Sequence, residues 1–163
     1  LGESLGGTFR VVVRGLVPGL GGYASADERM TGRIAAALFS IPAIKGVEFG
    51  AGFGISRLRG SEANDALRSC DGGIMTLTNN NGGVNGGITN GMPVLFKCAV
   101  KPTPSISKEQ ETVDFIKGEN AVLSTKGRHD PCIVHRARVV VDSIVAIALC
   151  DLLSQKFGTD WLV

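Results

Sequence analysis

The thirteen residues from Asn79 to Gly91 contain five asparagines, five glycines and no charge. Glycine loses the most backbone freedom on ordering, and asparagine side chains compete with helical hydrogen bonds. Such a run cannot form a helix interior, so it reads as a long loop that divides the chain. Its glycines permit left-handed dihedrals and let backbone N–H groups approach a ligand closely. Asparagine amides both donate and accept hydrogen bonds. Two readings follow: a flexible surface loop, or a cradle for a phosphate or the polar edge of a ring. A P-loop is excluded because no Gly-Lys-Ser/Thr follows. A dinucleotide fingerprint is excluded because a strand, not a helix, comes next.

The surrounding sequence supplies both element types. Residues 8–14 and the run from Pro93 to Val100 are rich in β-branched and apolar residues and predict strands. Pro18 to Gly22 predicts a turn. Ser25 and Glu28 have capping-box spacing, and Met30, Ile34, Ala37, Leu38 and Ile41 fall on one helical face up to Pro42. Gly46 to Gly50 predicts a short strand, residues 61–68 a short helix behind Ser61, and residues 108–123 one or two short strands. A last helix is expected from about Val139 to Phe157, closed by Gly158. The sum is a single α+β domain, an antiparallel sheet packed with helices.

Charge and cysteine content narrow the function classes. Seventeen basic against fifteen acidic residues leave a net charge of +2, too small to argue for nucleic acid. One Trp and one Tyr offer no aromatic stacking platform for bases. Val139 to Leu153, the longest apolar stretch, is interrupted by Asp142, Ser143 and Asp151 and is too short to span a bilayer. Cys70, Cys98, Cys132 and Cys150 form no C-x-x-C pair, and His129 and His135 have no ligand-spaced partners, so no metal site is expected. Free thiols in a reducing compartment fit this pattern. The chain opens on Leu1 with no targeting pattern and reads as beginning in mid-protein.

Three further segments carry chemistry. Gly127-Arg128-His129-Asp130-Pro131-Cys132 sets a cation, an imidazole and a carboxylate side by side. Read blandly, it is a helix start with Asp130 as cap and Pro131 as first helical residue. The density of functional groups favours a site. Lys101-Pro102-Thr103-Pro104-Ser105 joins a cation and two hydroxyls on a segment stiffened by prolines, either an anion clamp or an ordinary strand exit. Lys126, Arg128, Arg136 and Arg138 crowd one stretch and would attract a multiply charged anion, or form a solvated face. Arg57 and Arg59 form a lesser pair with the same ambiguity. No nucleophile elbow or H-E-x-x-H motif occurs.

Taken together, these segments resemble chorismate synthase. The resemblance is carried, in order, by Gly2 to Gly7, Ser40 to Gly46, Arg59 to Asp65, Asn80 to Gly91, Lys101 to Ser105 and Gly127 to Cys132. It covers nearly the whole chain and is to the C-terminal portion of the enzyme. The family's N-terminal portion, with its two catalytic histidines, is not represented, so these residues alone are expected to be inactive. The resemblance implies a place within a β-α-β sandwich and elimination of phosphate from 5-enolpyruvylshikimate 3-phosphate to give chorismate. It implies reduced FMN as cofactor, reduced from outside or by an intrinsic NADP-linked activity. It further implies a homotetramer in the cytoplasm or a plastid, with no nucleic-acid or membrane partner. FMN contacts are implied at Pro42, Ala43, Gly86, Lys101, Pro102, Thr103, Pro104, Ser105 and Arg128, and a catalytic carboxylate at Asp130. Glu3 stands where the family has Asp, and Ser105 where it has Thr. After the hexamer the family's Pro-Arg-Ala-x-Pro becomes His135-Arg136-Ala137-Arg138-Val139, and loss of the second proline removes a barrier to an earlier start of the last helix. The competing readings are a non-catalytic module for a phosphorylated ligand and an oligomerisation module.

Overall fold

The computed structural model describes residues 2–70 and 72–159. Its centre is a three-stranded antiparallel sheet in the order β1 (Gly7–Val13), β7 (Val94–Val100), β2 (Ile44–Phe49). The alternation of β7 decides which face is inside. Val94, Phe96, Cys98 and Val100 are buried, while Leu95, Lys97 and Ala99 face the other way. Opposite Phe96 sit Val11 on β1 and Phe49 on β2. The Phe49 and Phe96 rings meet with centroids 5.5 Å apart.

Two helices cover the inner face. Met30, Ile34 and Leu38 of α1 (Met30–Phe39) recur at four-residue spacing and are fully buried. Val141, Val145, Leu149 and Leu152, at spacings of four, four and three, form the buried face of α3 (Val134–Phe157). Arg33 of α1 joins the helices by pairing with Asp151 and donating to Gln155 Oε1 at 2.6 Å. Unlike α1, α3 is apolar on a second side, where Val139, Val140 and Ile147 are exposed. No helix among the described residues is long and apolar enough to cross a membrane.

Three expectations need correction. Helix α1 takes no capping box from Ser25 and Glu28, since it begins at Met30 with no side-chain cap. Instead the Met30 N–H donates to the Gly87 carbonyl, a partner 57 positions along the chain that no local pattern could reveal. The helix expected over 61–68 is only α2 (Gly60–Ala63). Leu67–Cys70 is strand β3, paired with β4 (Gly73–Thr76). Helix α3 begins at Val134, five residues before the expected start. The segment over 108–123 resolves into the hairpin β8 (Gln110–Asp114) and β9 (Glu119–Leu123).

Candidate functional site

Backbone hydrogen bonds join three sequence-distant segments where β7 ends. Leu5 N–H donates to the Pro131 carbonyl at 2.8 Å, and Leu5 forms a parallel bridge with Cys132. Ser4 Oγ donates to the Thr103 carbonyl at 2.6 Å. Lys101 N–H donates to the Ala43 carbonyl at 2.9 Å. The N-terminal strap thus lies between the Lys101–Ser105 segment and the hexamer. Gly6 allows that approach, because a Cβ there would stand 2.9 Å from Pro102 Cδ. Glu3 and Lys108 pair at 2.5 Å and close the strap from its outer end.

The hexamer is not a helix start. Helix α3 has Ile133 as its N-cap, and Asp130 does not cap it. Asp130 pairs instead with Arg136 in the first turn of α3. Arg128 is exposed and has no ion pair among the described residues. His129 is half-buried, with Nε2 3.3 Å from the Thr125 carbonyl. Of the basic cluster, therefore, Arg136 is engaged by Asp130 while Arg128 stays open to an anion.

Several features of these segments suit a bound phosphate-bearing ligand. Thr103 Oγ1 is buried and has no hydrogen-bond partner among the described residues, a costly state for a hydroxyl. Lys101 is exposed and unpaired among the described residues. Ala43 is the one described non-glycine residue with positive φ, at 74°. Such backbone strain tends to be kept where a ligand is clamped. Pro42, Pro104, Arg128 and Asp130 are exposed, so the site is an open surface.

Gly86 is not brought to this cluster. It forms the turn between β5 (Val84–Asn85) and β6 (Ile88–Thr89), with φ +59 and open space where a Cβ would be. That hairpin lies at the other end of β7, beside Pro93 and the start of α1. Seven residues of strand separate the two ends, about 20 Å at ~3.3 Å per residue. Neither is the loop a slack one: Val84 and Thr89 are buried, and Thr89 Oγ1 accepts from Leu20 N–H at 2.8 Å.

Sequence reasoning gave no role to Asp65, which organises this loop. It is 9% exposed. Its Oδ1 accepts from Thr78 Oγ1 and Asn80 N–H, each at 2.7 Å, and its Oδ2 from Asn81 N–H and Nδ2, each at 2.9 Å. Burial pushes its pKa upward, but these hydrogen bonds outweigh burial and hold it below the ordinary 3.8. The signal was present as an acid shortly before an asparagine run, but its meaning depends on the fold.

Other reactive groups are quiet. Cys98 is buried on β7, and burial pushes its thiol up to about 11, so it is a neutral core residue. No group of three or more His, Cys, Asp or Glu gathers as a metal site among the described residues.

The architecture is that of an α+β protein with an anion-receptive surface at one end of its sheet. The comparisons say which one. A family model for chorismate synthase matches residues 1–154. The chain is 51% identical over 155 residues to a chorismate synthase of Korarchaeum cryptofilum, covering 95% of this chain and 42% of that protein. It is 48% identical over 162 residues to one of Thermococcus kodakarensis, covering 99% and 45%. A crystal structure of chorismate synthase superposes with a TM-score of 0.77 at 40% identity, covering 96% of this chain and 39% of the other. This chain belongs to the chorismate synthase family. It spans less than half the length of these relatives.

Proposed function

We propose that this chain supplies the C-terminal portion of a chorismate synthase. The reaction is the 1,4-elimination of phosphate from 5-enolpyruvylshikimate 3-phosphate, with reduced FMN. The observation that carries the reading is the hydrogen-bonded convergence of the Ala43, Lys101–Ser105 and Asp130 segments at one end of β7. Membership of the family gives that convergence its chemistry.

Reduced flavin, when bound, supplies electron density to the departing phosphate and a basic ring nitrogen for the substrate proton. The chain's own residues bind and orient. Lys101 and Arg128 offer unpaired cations to anionic groups. Thr103 Oγ1 offers a buried hydroxyl that has no hydrogen-bond partner among the described residues. Pro42, Ala43, Pro102, Pro104 and Ser105 shape the wall, with prolines limiting the entropy lost on binding. Asp130 assists proton movement beside the flavin, and Arg136 holds its carboxylate in place. Gly86, in the turn at the opposite end of β7, would offer its exposed backbone to bound flavin.

The full-length enzyme is proposed to be a cytoplasmic or plastid homotetramer. The exposed Val139, Val140 and Ile147 on α3 favour burial against further protein. The 163 residues by themselves are proposed to turn over little or no substrate, since they span only about two-fifths of the relatives' length. The test is titration of the chain with reduced FMN, followed by fluorescence or absorbance. Saturable binding that Lys101→Ala weakens at least tenfold is expected. No binding, or binding indifferent to Lys101→Ala, would overturn the assignment of these contacts.

A further inference from the structure

We propose that Asp65 is a positioning residue for flavin binding: its buried carboxylate fixes the asparagine–glycine loop that presents Gly86. The inference rests on the flavin reading above and adds to it a residue outside the proposed contacts.

The argument follows the hydrogen bonds outward. An ionised carboxylate has about four acceptor positions, and Asp65 meets four donors, all from Thr78, Asn80 and Asn81. The two consecutive backbone N–H groups of Asn80 and Asn81 can both point inward only if the chain turns sharply there. The same turn is tied on its far side, where the Asn80 carbonyl accepts from Ala51 N–H at 2.8 Å and Asn80 Nδ2 reaches the Glu62 and Ala63 carbonyls at 3.2 Å. From the turn the order continues along the loop. Gly82 N–H donates to the Asn79 carbonyl, Leu95 N–H to Gly82, and Asn90 N–H to Gly83. Asn90 Nδ2 then donates to Asn85 Oδ1 at 2.7 Å, which closes the loop immediately beside Gly86.

The loop also forms a wall. Asp65, Asn81, Asn85 and Asn90, with Leu67 and Met92, line an open cleft of about 740 Å³. Among the described residues the cleft lining carries no cation, so it suits the uncharged polar edge of a ring rather than a phosphate. Cationic Lys101 and Arg128 stand elsewhere. An exposed glycine turn gives a ligand a defined surface only if both of its strands are held. Asp65 holds the segment that leads into β5, the strand entering the turn, and the Met30 N–H bond to the Gly87 carbonyl, at 2.8 Å, holds the turn where it passes into β6.

The test compares the chain with Asp65→Asn, Thr78→Val and a core control, Val145→Ala, by amide hydrogen exchange and by FMN titration. Asp65→Asn places an amide donor against donors while keeping the shape. Expected are faster exchange at Asn80, Asn81 and Asn90 and an FMN Kd raised at least tenfold. Thr78→Val should raise Kd about threefold, and Val145→Ala should leave it within twofold despite a lower Tm. The visible spectrum of flavin bound to Asp65→Asn should move toward that of free flavin. If Asp65→Asn does not fold, Thr78→Val and Asn81→Ala give the same readings. Unchanged Kd or unchanged exchange in the loop overturns the proposal. So does a Kd shift in Val145→Ala as large as in the loop variants. Failure of the unmodified chain to bind FMN overturns the flavin reading itself, and is thereby distinguished from a failure confined to the Asp65 variant.

Discussion

Arg136, in the first turn of α3, forms an ion pair with Asp130, in the extended segment that precedes the helix. The pair joins the proposed catalytic carboxylate to the most regular element of the fold, so the carboxylate's direction is set by a helix rather than by its own loop. Both side chains are more than half exposed, 65% and 52%, and an exposed pair contributes little to stability. Its value is positional.

In a full-length protein carrying these residues, Asp130→Ala should lower turnover by about 10²–10⁴-fold, the usual contribution of acid–base groups. Flavin Kd should change less than threefold, because the proposed cations Lys101 and Arg128 are untouched. Arg136→Ala should lower kcat by a smaller factor while leaving Tm almost unchanged. Steady-state kinetics together with flavin titration checks both. Equal loss of binding and turnover in Asp130→Ala would show that the residue is merely part of the scaffold.

Ala43 pays for its place with backbone strain, at φ 74°. A left-handed conformation costs a non-glycine residue about 1–2 kcal/mol, against about 0.4–1 kcal/mol for the extra unfolded-state freedom of glycine. Ala43→Gly should therefore leave stability unchanged or raise it by up to about 1 kcal/mol in urea denaturation. Ala43→Val, β-branched at the same dihedral, should lower it. A clear loss of stability in Ala43→Gly would mean that the methyl group's packing outweighs the strain.

Periodicity made the core legible. The helical spacing of α1 predicts the buried Met30, Ile34 and Leu38, because one buried face imposes its repeat on the sequence, whereas β7 reads from sequence only as an apolar strand, with Leu95 and Ala99 blurring its alternation. Strand β3 was not legible: Leu67–Cys70 is exposed throughout, so no buried face writes a pattern into it. The start of α1 differs from the expected capping box because its first N–H, that of Met30, is served by the Gly87 carbonyl rather than by a local side chain. For the site, motif order named the Lys101 segment and the hexamer. Their meeting depends on the strap at Ser4 and Leu5: the Leu5 bond is carried by the backbone and leaves no trace in residue type, and the Ser4 hydroxyl finds its partner 99 positions away. The separation of Gly86 from both is a consequence of sheet length.

Asp65 gives the fold a defined acid response. Its folded pKa lies below the ordinary 3.8, so its contribution is complete above the unfolded value and is lost as pH falls through the depressed folded value. Asp65→Asn should be less stable than the parent chain by about 2–3 kcal/mol at neutral pH, since charge-assisted buried hydrogen bonds are lost. That difference should stay constant down to about pH 4 and shrink in stronger acid. Urea denaturation of both chains from pH 7 to pH 2.5 measures it. A gap that widens on acidification would contradict the assigned direction of the shift.

Thr103 offers the sharpest separation between folding and binding. Its Oγ1 is buried without a partner among the described residues, while its backbone carbonyl accepts from Ser4 Oγ. Thr103→Val removes the orphaned hydroxyl, keeps a β-branched side chain of similar shape, and leaves the carbonyl in place. A buried unsatisfied polar atom costs about 1–3 kcal/mol, so the substitution should leave the free chain as stable as before or more stable by about 1 kcal/mol. If that hydroxyl serves the flavin, the same change should weaken FMN binding about tenfold, the loss expected for a hydrogen bond to a charged phosphate. Thermal denaturation with and without FMN reads both effects in one experiment. Tm should rise or hold in the free chain, and the increase on adding FMN should be smaller than for the unmodified chain. A variant destabilised without ligand would mean that Thr103 Oγ1 already has a partner within the fold. A full ligand-induced increase would remove Thr103 from the proposed contacts.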